Sequence, residues 1–340
     1  NTQARFLAGV ELMSPKETLW KAALVLASRT PTDEELATVE KGGFEALDGV
    51  LDKLMEEEPF YTRVKEKYND VMLTDFYLQE GIDVIADDDN GIAYDPQWYE
   101  QVPATPANLQ KYGAVDAENM YDKLERHTRR AVAQQPLELV AYIIRNNRPY
   151  TEIATADYIV GNPCAARAYQ VSDVQFTNDA NPYEFLPARF GDYETGFPHA
   201  GVMSDFIWMS RHPTTPTNRN RHRAKEALYL FLGNDILKAA ERPLDITKVQ
   251  RNQNPTVNDG GCAQCHTMVD PLAAAWRNFQ MTEDDNAGPL QYRPEFGWFD
   301  EMWAPGFKGI SMPPNEYGRA LPWAMKQIAN DPGFAYAGVF

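Results

Sequence analysis

The stretch GGCAQCHTMVDPLAAAWRNF, from Gly260 to Phe279, carries the residues whose types and spacing can do chemistry. Cys262 and Cys265 are two residues apart, and His266 follows directly. Such a trio can close a disulfide, hold zinc or anchor a haem through two thioether bonds. Chance does not account for it: with this composition, C-x-x-C-H is expected in roughly 4 of 10,000 such chains. A structural zinc needs four ligands, yet the chain has no Cys or His after His266, which leaves only Cys164 and the upstream histidines. A thioredoxin-type redox pair wants a strand-helix-strand context that is missing here, and it gives the histidine no part. Covalent haem uses all three residues, with both thiols reaching one macrocycle and the adjacent histidine held beneath the iron as proximal ligand.

An iron so held has a sixth position to fill. Downstream, GFKGISMPPNEYG presents Met312 followed by two prolines, which fix φ and stiffen the loop that carries the sulfur. A thioether is soft and neutral, favours the ferrous state and raises the reduction potential. His127, His199, His212 and His222 are the rival ligands, and a bis-histidine iron would have the lower potential. His212 and His222 flank RHPTTPTNRNRHRAKE, a basic stretch that reads as a solvated helix start, with a propionate-binding or partner-docking patch as the other reading. Asp87-Asp88-Asp89-Asn90-Gly91 resembles a calcium loop, but an EF-hand register puts Ala86 and Gln97 at ligand positions, so a solvated acidic turn is expected. Cys164 reads as a buried free thiol.

The elements that must position these residues are mainly helical. Ser14-Pro15-Lys16-Glu17 and Thr32-Asp33-Glu34-Glu35 are helix-start signals ahead of apolar stripes, the second interrupted at Gly42-Gly43. Helical spacing returns over 117–130, over 137–144 and over 224–237. Gly81 to Gly113 reads as a long acidic loop and Asn162 to about Pro198 as irregular chain, while Tyr158-Ile159-Val160 is one of few strand-like runs. Trp276, Phe279, Trp298 and Trp303 are expected to pack around the haem edge. A boundary in the polar linker RNQNPTVNDGG separates a helical domain of unknown function, 1–250, from a haem domain, 251–340.

The 340 residues are 44% hydrophobic, enough for a substantial core, and the net charge of −17 repels nucleic acid and anionic membrane surfaces. No run of ~18 uncharged apolar residues is present, so a membrane-spanning protein is not expected. Three cysteines are too few for a disulfide framework. The chain starts at Asn1 without a basic or apolar leader, so any signal peptide is expected to have been removed or to lie outside it.

C-x-x-C-H followed by a distal Met-Pro-Pro resembles a class I cytochrome c domain, from about Pro255 onward. CAQCHTMVDPLAAAWRNF resembles the haem segment of large single-haem proteins of unknown function common in planctomycetes and myxobacteria. RPYTEIATADYIVGN, HAGVMSDFIWMSRHPTTPTNRNRHRAKEALYLFLG and LASRTPTDEEL are similar to further segments of those proteins. The resemblance implies one haem c attached at Cys262 and Cys265 with His266 as proximal ligand, whereas Met312 is matched only through the cytochrome c pattern. That family's glycine after Asp-Pro-Leu is here Ala273. It also implies export, because covalent haem is attached outside the cytoplasm, and a periplasmic, cell-surface or extracellular place.

These readings lead to an electron-transfer protein carrying one haem, with redox partner proteins that are basic if charge steers docking. The alternative is a haem-dependent oxidoreductase acting on peroxide, oxygen or a small molecule, with its substrate site in the helical domain and an open sixth position on the iron. A third reading, compatible with the first, makes the chain a subunit of a larger envelope or extracellular assembly. Some 250 residues precede the motif, far more than electron transfer requires.

Overall fold

A computed structural model describes residues 11–74, 97–171, 173–189, 198–238, 254–279, 292–294 and 296–337. The described chain is mainly helical, with two short antiparallel strand pairs, and it divides into two compact units.

The first unit comprises Asn1–Val71 and Ile144–Asn147. Helices α1 (Pro15–Leu26) and α2 (Asp33–Leu54) begin where the sequence signals them, and α3 (Glu58–Met72) follows. Ser14 with Glu17 and Thr32 with Glu35 both close reciprocal capping boxes, satisfying the orphan N–H groups of the first turn. Leu19, Ala23 and Ala27 pack with Val39, Leu47, Val50 and Leu54, so the helical spacing of these residues becomes one apolar core. At Gly43 the backbone leaves the helix with φ 65° and ψ −145°, the interruption expected at the glycine pair. Arg29 donates to both Glu35 and Glu57 and ties the start of α2 to the turn that follows it.

The second unit comprises Met72–Ile143 and Arg148–Phe340. Two stretches read as loop or irregular from sequence carry short elements. Within the expected loop, a 3-10 turn at Trp98–Gln101 precedes α4 (Pro106–Lys111), which Thr105 caps with proline at the first position. Trp98 is buried there and donates to Thr128 Oγ1 at 3.1 Å, and this burial gives order to a stretch with no periodicity. The two helical patterns between 117 and 144 form one helix, α5 (Ala117–Arg145), which runs through Pro136. Proline costs one backbone hydrogen bond, offset here by burial of Met120, Leu124, Val132, Leu139 and Ile143 along the helix.

Helix α6 (Glu152–Thr155) leads into β1 (Tyr158–Gly161), whose strand-like run pairs antiparallel with β2 (Leu186–Arg189), Tyr158 opposite Arg189. Between these strands lies α7 (Pro163–Ala168), capped by Asn162, in the segment expected to be irregular. Helices α8 (Phe206–Arg211) and α9 (Arg221–Leu232) follow, the latter ended by Gly233 in the left-handed conformation. After α10 (Pro255–Asn258) comes α11 (Gly260–Ala273), which carries the cysteine-histidine motif and packs along α9. The hairpin of β3 (Gly306–Phe307) and β4 (Ile310–Ser311) precedes α12 (Ala320–Ala329) and α13 (Pro332–Ala337). Strand β3 rests on α11, and α12 packs on the 3-10 turn Ala274–Trp276 that continues α11. Residues 254–337 therefore share a unit with helices that precede residue 250. The Asp87–Asp89 loop, and the first three residues of the linker at 251, lie outside the described residues.

Candidate functional site

Helix α11 starts because Asp259 caps it, its carboxylate accepting from the N–H groups of Gly261 and Cys262. Residues three and four apart share a helix face, so this start puts Cys262, Cys265 and His266 on one side of α11. All three are half-buried, and both thiols are free. The Cys265 thiol donates to the Ile236 carbonyl at 3.2 Å. The Cys262 thiol is pushed up from its ordinary value by burial and by the Asp259 carboxylate.

One further turn of the same face brings Asp270. Its Oδ1 lies 2.8 Å from His266 Nδ1. The carboxylate is fully buried and is also gripped from α9, where Arg221 Nε reaches Oδ1 at 2.7 Å and Nη2 reaches Oδ2 at 3.1 Å. Burial alone would raise the Asp270 carboxyl, but the hydrogen bonds from His266 and Arg221 outweigh it and hold the group below the ordinary carboxylate range. An anion on Nδ1 fixes the proton there, orients the ring and leaves Nε2 as the free lone pair. This is the usual support for a metal-ligating imidazole.

Met312 is buried and follows β4, and its N–H donates to the Pro305 carbonyl at 2.9 Å. That bond closes the base of the hairpin whose strand β3 rests on α11. The rival histidines have other surroundings. His199 is buried with Nδ1 2.6 Å from Ser204 Oγ, His212 and His222 face each other, and His127 sits half-buried on α5.

The basic stretch is not a solvated helix start. Thr214, Asn220 and Arg223 are buried, and Arg223 donates to the carbonyls of His212 (2.9 Å), Phe279 (2.8 Å) and Met209 (3.3 Å) and to Asn220 Oδ1 (2.9 Å). A guanidinium carries five fixed donors, which suits it to satisfying several main-chain carbonyls in one buried place. Trp276 is fully buried and stacks on Trp208 with centroids 5.6 Å apart, and Phe279 is buried as well. Trp298 and Trp303 are half-buried and donate to the carbonyls of Trp303 and Thr256. Cys164 is a buried free thiol, as expected, pushed up to about 11 chiefly by burial.

The donors present suit a covalently held haem: two free, accessible thiols and an imidazole with Nε2 uncommitted. They do not suit zinc, since among the described residues Cys262, Cys265 and His266 do not converge as a cluster of ligand atoms. Among the described residues no helix is long and apolar enough to cross a membrane. No family model, no curated protein and no solved structure matches this chain.

Proposed function

We propose that the chain is an exported c-type cytochrome that carries one covalent haem and acts in one-electron transfer, as a component of an envelope or extracellular assembly. The observation that carries this reading is the shared face of α11, with Cys262, Cys265 and His266 in line and Asp270 on His266 Nδ1. Cys262 and Cys265 would supply the thioether links, His266 Nε2 the proximal ligand and Met312 the distal one. The haem, when bound, supplies a one-electron couple.

The chain's own residues prepare the place. Asp270 holds the histidine ring in one orientation and one tautomer, and Arg221 keeps that carboxylate charged. Buried Met312 offers a sulfur on a segment stiffened by Pro313 and Pro314. The net charge of −17 favours basic redox partners at low ionic strength. No class I cytochrome fold is needed for this chemistry, and the C-terminal residues are proposed to serve it within the larger helical unit.

The deciding experiment is a pyridine haemochrome spectrum of the purified chain before and after acid-acetone extraction. A c-type α band that survives extraction is expected, with a low-spin ferric spectrum that turns high-spin in Met312→Ala. A chain exported together with the haem-attachment machinery that shows no such band refutes the reading. A band that is present with no change of spin state in Met312→Ala removes Met312 alone.

A further inference from the structure

Away from the cysteine-histidine motif, a second set of ligating atoms converges between α8 and α9. His212 is the residue on which α8 ends, His222 lies in the first turn of α9, and Glu226 follows one turn later on the same face. His212 Nδ1 is 3.5 Å from His222 Nε2, and His222 Nε2 is 3.7 Å from Glu226 Oε1. One ligand atom from each of the three residues lies within 4.8 Å of the others. A tetrahedral ion with bonds of about 2.0–2.2 Å has ligand-to-ligand edges of about 3.3–3.6 Å, so two of the three edges are nearly in place. The imidazole rings stand at 88° with 3.5 Å between the facing nitrogens, too long for a good hydrogen bond. They face each other without bonding well.

We propose that His212, His222 and Glu226 form a site for one borderline divalent transition-metal ion of the zinc type. Two imidazoles and one carboxylate are the donor set of such ions, with a fourth position left to water. The donor set selects against hard cations, since calcium and magnesium bind through oxygen and find one carboxylate here, whereas an ion of the zinc type also bonds strongly to the two imidazole nitrogens.

His212 is buried and His222 half-buried, so neither ring is held by a full shell of water. Arg223 Nε fixes the His212 carbonyl at 2.9 Å, and the His212 ring lies against Trp208 with centroids 4.8 Å apart, so this ligand is preorganised. The cost falls on Lys225, whose Nζ sits 2.6 Å from Glu226 Oε1 and must swing aside. Its side chain is a third exposed and flexible enough to do so.

The test is calorimetric titration of the full chain with zinc chloride after its accessible thiols have been alkylated, which removes Cys262 and Cys265 as competing ligands. The readout does not depend on haem content, so it stands or falls apart from the cytochrome reading. One zinc per chain is expected, with a zinc-dependent rise in melting temperature, while calcium and magnesium give neither. His222→Ala and Glu226→Gln change half-buried positions and should fold as the parent does by circular dichroism. Each is expected to weaken zinc by at least the ~10–100-fold that removing an outer partner of a metal costs. No binding to the alkylated parent, equal binding of calcium, or parent-like affinity in both folded variants overturns the site.

Discussion

Asp270 is the side chain on which the candidate haem face turns. It joins His266 on its own helix to Arg221 on α9, and it does so fully buried. Replacing it by asparagine keeps the volume and removes the charge. Arg221 then faces a neutral amide, and His266 loses the anion that makes it a strong donor. Asp270→Asn is expected to lower stability by about 1–3 kcal/mol in urea denaturation. On the proposed function, it should also move the midpoint potential of the haem to more positive values, because a weaker imidazole donor favours the ferric state less. Since the folded-state carboxyl is lowered, its contribution is complete above the ordinary carboxylate range and disappears as pH falls through that lower value. The variant should show no such loss.

At the scale of elements, the motif depends on where one helix starts. The Asp259 carboxylate takes the N–H groups of Gly261 and Cys262, which puts the two thiols within the first turns. Asp259→Ala is expected to cost about 1 kcal/mol, the usual loss for a missing cap. It should also bring the Cys262 thiol part of the way back towards its ordinary value, read as faster alkylation at pH 8, because burial still raises it but the Asp259 carboxylate that adds to burial is gone. A different constraint operates at Gly201, whose N–H reaches the Ala156 carbonyl while its neighbour Val202 bonds Ile153. A Cβ there would lie 2.1 Å from the Ile153 carbonyl oxygen, and φ is +50°, so only glycine lets α6 and the segment before α8 approach this closely.

Across the described residues, two buried histidines weaken the fold in acid, and buried Asp205, raised to about 7 chiefly by burial, opposes part of their effect by taking up a proton in the fold. His199 and His212 are each held down to about 3, chiefly by burial, against an ordinary value of about 6.5. Between those values the unfolded chain takes up protons that the folded chain refuses, so stability falls as pH drops from about 6.5 towards 3. The slope is at most roughly 1.4 kcal/mol per pH unit for each histidine. Urea denaturation at pH 7, 6, 5 and 4, with chelator present, should show this slope, and His199→Gln should remove its own share. A stability that stays flat over that interval would mean the rings are protonated in the fold.

How much was legible beforehand differs from residue to residue. The capping boxes, the break at Gly43, the apolar stripes of α1 and α2 and the burial of Cys164 follow from spacing and residue type, because local hydrogen bonds and helical periodicity are properties of neighbours in the chain. The common face of Cys262, Cys265 and His266 follows once the segment is helical, and the same spacing of four points on to Asp270. Arg221, 49 residues from Asp270, carried no such signal, nor did the pairing of His212 with His222 and Glu226 at the junction of two helices. The basic stretch misled for the same reason, since charge in a sequence reads as solvated until the carbonyls of distant residues are seen around Arg223. The sequence alone determined the chemistry available in the motif and the capped helices at the start of the chain. Tertiary structure decided which buried charges are partnered, because desolvation and long-range hydrogen bonds depend on neighbours in space.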